Sequence, residues 1–126
     1  MNIPKDLKYA KTHEWVRVEQ GVAVVGITDH AQHELTDIVY VEVPVVGAQV
    51  KAAGECAVVE SVKSASDIYS PVSGKIVAAN EELGNAPALV NDDPYGKGWL
   101  FKVQMSDPGE LGKLLNSDDY SRHIGA

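Results

Sequence analysis

The feature that most constrains this chain is a near-repeat within its own sequence. Residues 44–55 read PVVGAQVKAAGE and residues 71–82 read PVSGKIVAANEE. Pro44, Val45, Gly47, Val50, Ala52 and Glu55 recur in order as Pro71, Val72, Gly74, Val77, Ala79 and Glu82, an offset of 27 residues. Each copy is a turn followed by a short apolar strand. Two such units joined through a central hairpin predict a pseudo-two-fold β-sandwich or flattened barrel. The midpoint of the span 44–82 is residue 63, a lysine. Partial matches of this kind also arise between unrelated Val-, Ala- and Gly-rich strands. What gives the symmetry meaning is that its centre falls on a lysine among small residues.

The rest of the chain agrees with a β framework. Glu14 to Val18 and Val22 to Thr28 flank Gln20-Gly21 and predict a hairpin. Asp29 is placed to cap a short helix over 29–35, its carboxylate accepting a free amide of the first turn. Val39, Val41 and Val43 alternate with polar neighbours until Pro44, which cannot donate to a ladder. Cys56 to Val62 is β-rich, Ile68, Ile76 and Val77 continue the signal, and Trp99 to Val103 forms the last strand. Pro108 opens a segment containing Leu111, Leu114 and Leu115, the pattern of an amphipathic helix. Residues 118–124 add a further turn or two. One domain over 1–126 is expected, with its core at about 9–105 and a helical segment at about 107–124.

Composition narrows the function classes. Eleven Lys and Arg against 18 Asp and Glu give a net charge of −7, and no basic stripe is present to neutralise phosphates, so nucleic acid is not an expected partner. The balance suits protein partners with basic docking faces. Cys56 is the only cysteine, so no internal disulfide can form. No apolar run approaches the roughly 20 residues of a membrane span. MNIPKDLKYA has neither signal-peptide nor transit-peptide character, which makes the cytoplasm the expected compartment. A chain this short leaves little room for a deep catalytic cavity.

Around the central lysine the chain reads Glu60-Ser61-Val62-Lys63-Ser64-Ala65-Ser66-Asp67. A lysine that carries a covalent cofactor must stand clear of a rigid scaffold, so that a modifying enzyme and several clients reach it. A hairpin tip meets that need, because the amine faces solvent while both strands hold the backbone. Small neighbours leave room for a partner to close over the arm, and the tether raises the effective concentration of its cargo at each docked partner. Taken alone, such a residue is ordinarily a solvated surface lysine.

ESVK followed by SASD and PVSG resembles the lipoyl-lysine hairpin of glycine cleavage H-proteins. HEWVRVE, VGITDHAQ, DIVYVEVP, AVVESVK, SDIYSPVSG, ALVNDDPYGKGWLFK and SDPGEL fit that family in order and spacing, from Tyr9 to about Tyr120. Gly47 and Gly74 stand at the offsets from the lysine that lipoyl domains favour. Ser64 replaces the alanine frequent in the family, a change between small residues. Biotin carriers set their lysine between methionines, and Val62 and Ser64 are not that pattern.

The resemblance implies a mainly β hybrid barrel-sandwich of the lipoyl/biotinyl-carrier type with short peripheral helices, and lipoate in amide linkage to Lys63. It implies a monomeric carrier of the glycine cleavage system, not itself an enzyme, that moves the aminomethyl group of glycine. The group would pass from a pyridoxal-phosphate-dependent glycine decarboxylase to an aminomethyltransferase, and electrons to dihydrolipoyl dehydrogenase. Attachment would need lipoate ligase, or octanoyltransferase with lipoyl synthase. Glu60, Gly47 and Gly74 would serve recognition by the modifying enzyme. Glu14, Thr12, Asp67 and Glu34 would form a cleft that shields the loaded arm, since an ammonium cargo suits carboxylates and hydroxyls. Read without the resemblance, Glu14 and Asp67 are ordinary solvated acids at strand edges.

Two rival readings remain. One is a related carrier serving lipoate relay or another lipoate-dependent pathway. The other is a small metal enzyme using His30, His33 and Glu34, which fall on one face of a helix but lack a fourth ligand at recognisable spacing. Cys56 reads as a small core residue, Trp15 and Trp99 as core aromatics, and Ser61 has no nucleophile-elbow context.

Overall fold

The hairpin around Gln20-Gly21 forms with φ of 52° and 80° at its two turn residues, the paired positive angles of a type I′ turn. The computed structural model describes all 126 residues. That turn joins β2 (Glu14–Glu19) to β3 (Val22–Ile27) with Glu19 opposite Val22 and Glu14 opposite Ile27. With β1 (Lys8–Tyr9), β5 (Gln49–Val50), β8 (Gly74–Ala79) and β9 (Phe101–Met105), they build a six-stranded sheet ordered β1-β2-β3-β9-β8-β5. A second sheet, ordered β4-β6-β7, contains β4 (Ile38–Glu42), β6 (Glu55–Ser61) and β7 (Ala65–Tyr69).

The expected barrel-sandwich is therefore present, with unequal sheets. Its main core includes Val16, Val25 and Ile27 of one sheet and Val41, Val59 and Ile68 of the other. Strand β3 is buried on both faces: Val25 faces the main core, while Val24 joins Leu7, Tyr9, Trp15 and Tyr120 in a second cluster. Double burial explains why VAVVGI reads as a continuous apolar run and not as an alternation.

The two copies of the repeat pair with each other. Gln49 lies opposite Lys75 and Val50 opposite Gly74, and Ile76 N donates to Ala48 O at 2.8 Å. Shifting one member of the Gln49–Lys75 pair forward by 27 and the other back by 27 gives Ile76 and Ala48, so the copies cross at their own two-fold.

Several local expectations change. The cap of α1 (Asp29–Leu35) is Thr28, not Asp29: the Thr28 hydroxyl accepts from Ala31 N at 3.2 Å, and Asp29 lies in the first turn. Strand β4 carries an irregularity between Ile38 and Tyr40, so Ile38 and Val41 are buried while Val39 and Tyr40 face solvent. The residues after Pro108 form a 3₁₀ turn (Pro108–Lys113), because Gly109 and Gly112 favour no α-helix there; the α-helix is the later α3 (Ser117–Ile124). The last strand starts at Phe101, two residues after Trp99. Trp99 is only partly buried, under the Lys102 ammonium at 5.1 Å from its ring centroid. Cys56 is half-buried at the edge of the main core, and burial pushes its thiol up to about 12, which leaves it unreactive near neutrality.

Candidate functional site

Residues 62–64 form the turn between β6 and β7, and one side chain organises it. Ser61 Oγ accepts from Lys63 N at 3.1 Å and Ser64 N at 3.0 Å, and it donates to Ser64 O at 3.1 Å. Ser61 N closes the turn on Ser64 O at 2.8 Å. Val62 N donates to Asp37 O at 3.0 Å, which ties the tip to the segment leaving α1. That segment is itself pinned by Asn91 in α2 (Leu89–Asp92). Asn91 Oδ1 accepts from Ile38 N at 2.9 Å, and its Nδ2 donates to Thr36 O at 2.8 Å. The Lys63 side chain is exposed, and its Nζ donates to Glu34 O at 3.1 Å in the last turn of α1. A held backbone with a free amine is the arrangement that a covalently attached arm requires.

Beside the tip, α1 and β7 bound a cleft of about 490 Å³ lined by Thr12, His13, Ile27, His30, Ala31, Glu34, Leu35, Ser66 and Ile68. Its floor is aliphatic, from Ile27, Leu35 and Ile68, and its rim carries hydroxyl, imidazole and carboxylate groups. Such a surface accommodates an extended apolar chain that ends in a polar group.

Of the residues singled out in the sequence, Thr12 and Glu34 line this cleft. Glu14 does not: it lies buried behind Thr12, where its carboxylate accepts from the Thr12 hydroxyl and, at 3.1 Å, from Tyr69 N. Glu14 instead borders a second hollow of about 320 Å³, on the side of the 3₁₀ turn. Asp67 is exposed next to Glu55, whose carboxyl it pushes up, and is not among the cleft residues. Gly47 and Gly74 belong to the six-stranded sheet and its approach, not to the hairpin; both have positive φ, 98° and 154°. Glu60 stands on β6 between Tyr40 and Ala65. His30 and Glu34 share the cleft while His33 is exposed, and no group of three or more side chains is arranged to hold a metal ion. His13, Ser66 and the clamp at Ser61 carry no periodicity or spacing signal; only the place of His13 between Thr12 and Glu14 hints at its role.

Burial raises Glu14 to about 7, against the opposing pull of its Thr12 and Tyr69 hydrogen bonds. The folded state thus binds this proton more tightly than the unfolded chain. Its contribution to stability is full below the ordinary carboxylate value and is lost as pH rises towards 7. Glu14→Gln keeps both bonds, with the amide oxygen facing Tyr69 N and the amide N–H facing the Thr12 hydroxyl. Urea titrations of the two proteins across pH 4.5 to 7 are expected to diverge by on the order of 2–3 kcal/mol, the glutamine variant gaining relative to the parent as pH rises. Parallel curves would show that Glu14 ionises normally.

The model of the glycine cleavage H-protein family matches residues 7–125. The glycine cleavage system H protein of Aeromonas hydrophila is 62% identical over 124 residues, covering 98% of this chain and 96% of that protein. The one from Alcanivorax borkumensis is 61% identical over 122 residues, covering 97% and 95%. Among solved structures, a glycine cleavage system H protein from Mycobacterium marinum superposes with a TM-score of 0.91 at 39% identity, covering 98% of this chain and all of that one.

Proposed function

Since the chain belongs to the glycine cleavage H-protein family, we propose that Lys63 is its lipoyl-bearing residue and that the α1–β7 cleft shelters the loaded arm. The protein is a lipoyl carrier of the glycine cleavage system and not an enzyme. Its partners are the decarboxylase, the aminomethyltransferase and dihydrolipoyl dehydrogenase. When attached, lipoate supplies a sulfur that accepts the aminomethyl group and a dithiol that is later reoxidised. Residues 1–126 act as one carrier unit, and the cytoplasm is its compartment, in keeping with a single cysteine.

The carrying observation is the clamped, solvent-facing Lys63 at the mouth of the cleft. Attachment replaces the ammonium by an amide whose N–H still suits the Glu34 carbonyl, so the root of the arm stays beside the cleft. Thr12 and Glu34 then offer a hydroxyl and a carboxylate to an ammonium cargo, and Glu14 acts on that cargo through Thr12. A protonated amine lacks the lone pair that would expel the thiolate, so holding the proton on the cargo delays its loss. Glu60, at the base of the tip, is read as a contact for the modifying enzyme, with Gly47 and Gly74 setting the scaffold shape that enzyme meets.

Co-expression with a lipoate ligase, followed by intact mass and peptide mapping, is expected to place one adduct on Lys63. An adduct on Lys51 or Lys75 instead would overturn the assignment.

A further inference from the structure

Three imidazoles from separate parts of the chain gather beside the cleft, His13 and His30 lining it and His123 packed behind His13, and the carrier cycle gives them no task. The ring of His13 lies 4.9 Å from that of His30 on α1 and 5.8 Å from that of His123 on α3, centroid to centroid. His13 Nδ1 is 2.8 Å from the Tyr120 hydroxyl, which is 2.7 Å from Thr28 Oγ1. His123 Nε2 lies 3.0 Å from Lys11 O, which fixes that ring outside the chain of hydroxyls. His13 Nε2 has no protein partner, and no unpaired polar side-chain atom is buried, so this nitrogen is open to a ligand. His13 also has a φ of 79°, uncommon for a residue with a side chain. Its N–H donates to Ala10 O and its carbonyl accepts from Thr28 N, both at 3.0 Å, so the surroundings hold this conformation.

We propose that His13 is a cargo-contacting residue of the arm cleft, its free Nε2 accepting a hydrogen bond from the primary ammonium of the loaded arm. The proposal rests on the arm-cleft reading given above. The hydroxyl chain supplies what such a contact needs. With Thr28 donating to Tyr120 and Tyr120 donating to Nδ1, Nε2 carries the proton. With the chain reversed, Nδ1–H donates to Tyr120, Tyr120 donates to Thr28, and Nε2 presents a lone pair. The two arrangements have the same charge, so the cleft can turn an acceptor towards an ammonium cargo and a donor towards a sulfur-ended arm. Burial holds Tyr120 up at about 12, so its hydroxyl keeps the proton that the chain requires. Burial and the neighbouring His30 and His123 hold His13 below the usual imidazole range, against the pull of Glu34, so the ring is neutral at pH 7. The charged and titratable groups around it are His30 and Glu34 of α1, and Tyr120 and His123 of α3.

Two measurements test this on the lipoylated full-length chain. Nitrogen NMR of the His13 ring, before and after loading with glycine and decarboxylase, is expected to show Nδ1 and Nε2 exchanging protonated and unprotonated character. His13→Asn tolerates positive φ and keeps a polar group near the Nδ1 position while losing Nε2. Once loaded and freed of decarboxylase, it is expected to release ammonia about tenfold faster than the parent, the effect of one charge-assisted hydrogen bond. A loaded ring whose Nε2 carries the proton, or an Asn variant that releases ammonia at the parental rate, overturns the proposal. If the folded parent releases ammonia as fast as urea-unfolded loaded carrier, the arm-cleft reading itself fails. The NMR readout needs no variant, so a poorly folding substitution leaves the test intact.

Discussion

Glycine–bicarbonate exchange, reconstituted with glycine decarboxylase, is expected to fall to background when Lys63 is replaced by arginine, with the fold unchanged. The expectation follows from the chemistry of the side chain. On the proposed assignment lipoate would join Lys63 through an amide at Nζ, and a guanidinium remains protonated and forms no such link. The structural cost is small because the side chain is exposed and its one contact, to Glu34 O, is also within the reach of an arginine donor. The turn depends on backbone and Ser61 contacts that the substitution leaves in place. The urea midpoint should therefore correspond to a change within about 0.5 kcal/mol of the parent. Exchange activity surviving in the arginine protein would mean that the carrier function resides elsewhere, and a large loss of stability would mean that Lys63 is a structural residue.

Much of this site was legible because its determinants are local or symmetric. The Gln20-Gly21 turn, the strands on either side and the hairpin tip at Lys63 all follow from short-range pattern, and each appears where the pattern puts it. The cleft was less legible because its wall comes from far apart in the chain. His13 and Tyr120 touch although 107 residues separate them. Nothing in the local sequence of either residue announces the contact. Glu14 shows a second limit. Its place in HEWVRVE marks it as a carboxylate near the arm, yet its strand faces inward, so it reaches the cleft only through Thr12. Asp67 shows the same parity effect from the other side: Ser66 and Ile68 line the cleft, and the residue between them takes the opposite face of β7. The cap of α1 failed for a smaller reason, since Thr28 and Asp29 are both good cap residues and only backbone angles separate them.

Gly74→Ala is expected to destabilise the protein far more than Gly47→Ala, although the repeat makes the two glycines equivalent. Both hold positive φ, so each alanine meets backbone strain of about 1–2 kcal/mol. The copies part company in their surroundings. A Cβ on Gly47 would have no atom within 4 Å. A Cβ on Gly74 would lie 2.0 Å from Gln104 O and 2.9 Å from Val103 Cγ1. Gln104 and Val103 belong to β9, where Val103 is paired with Ile76 and Gln104 with Lys75. Relief would therefore require β8 and β9 to separate next to the main core, breaking ladder bonds and opening space beside Val103. That cost adds to the strain and brings the total to the order of 4 kcal/mol or more, where few single substitutions lie. Gly74→Val adds two further methyl groups at the same place and is expected to prevent folding. Urea midpoints for the two alanine variants, measured with equal m-values, decide the matter. Equal losses would show that β9 yields freely at Gly74 and that backbone strain alone gives the glycine its purpose.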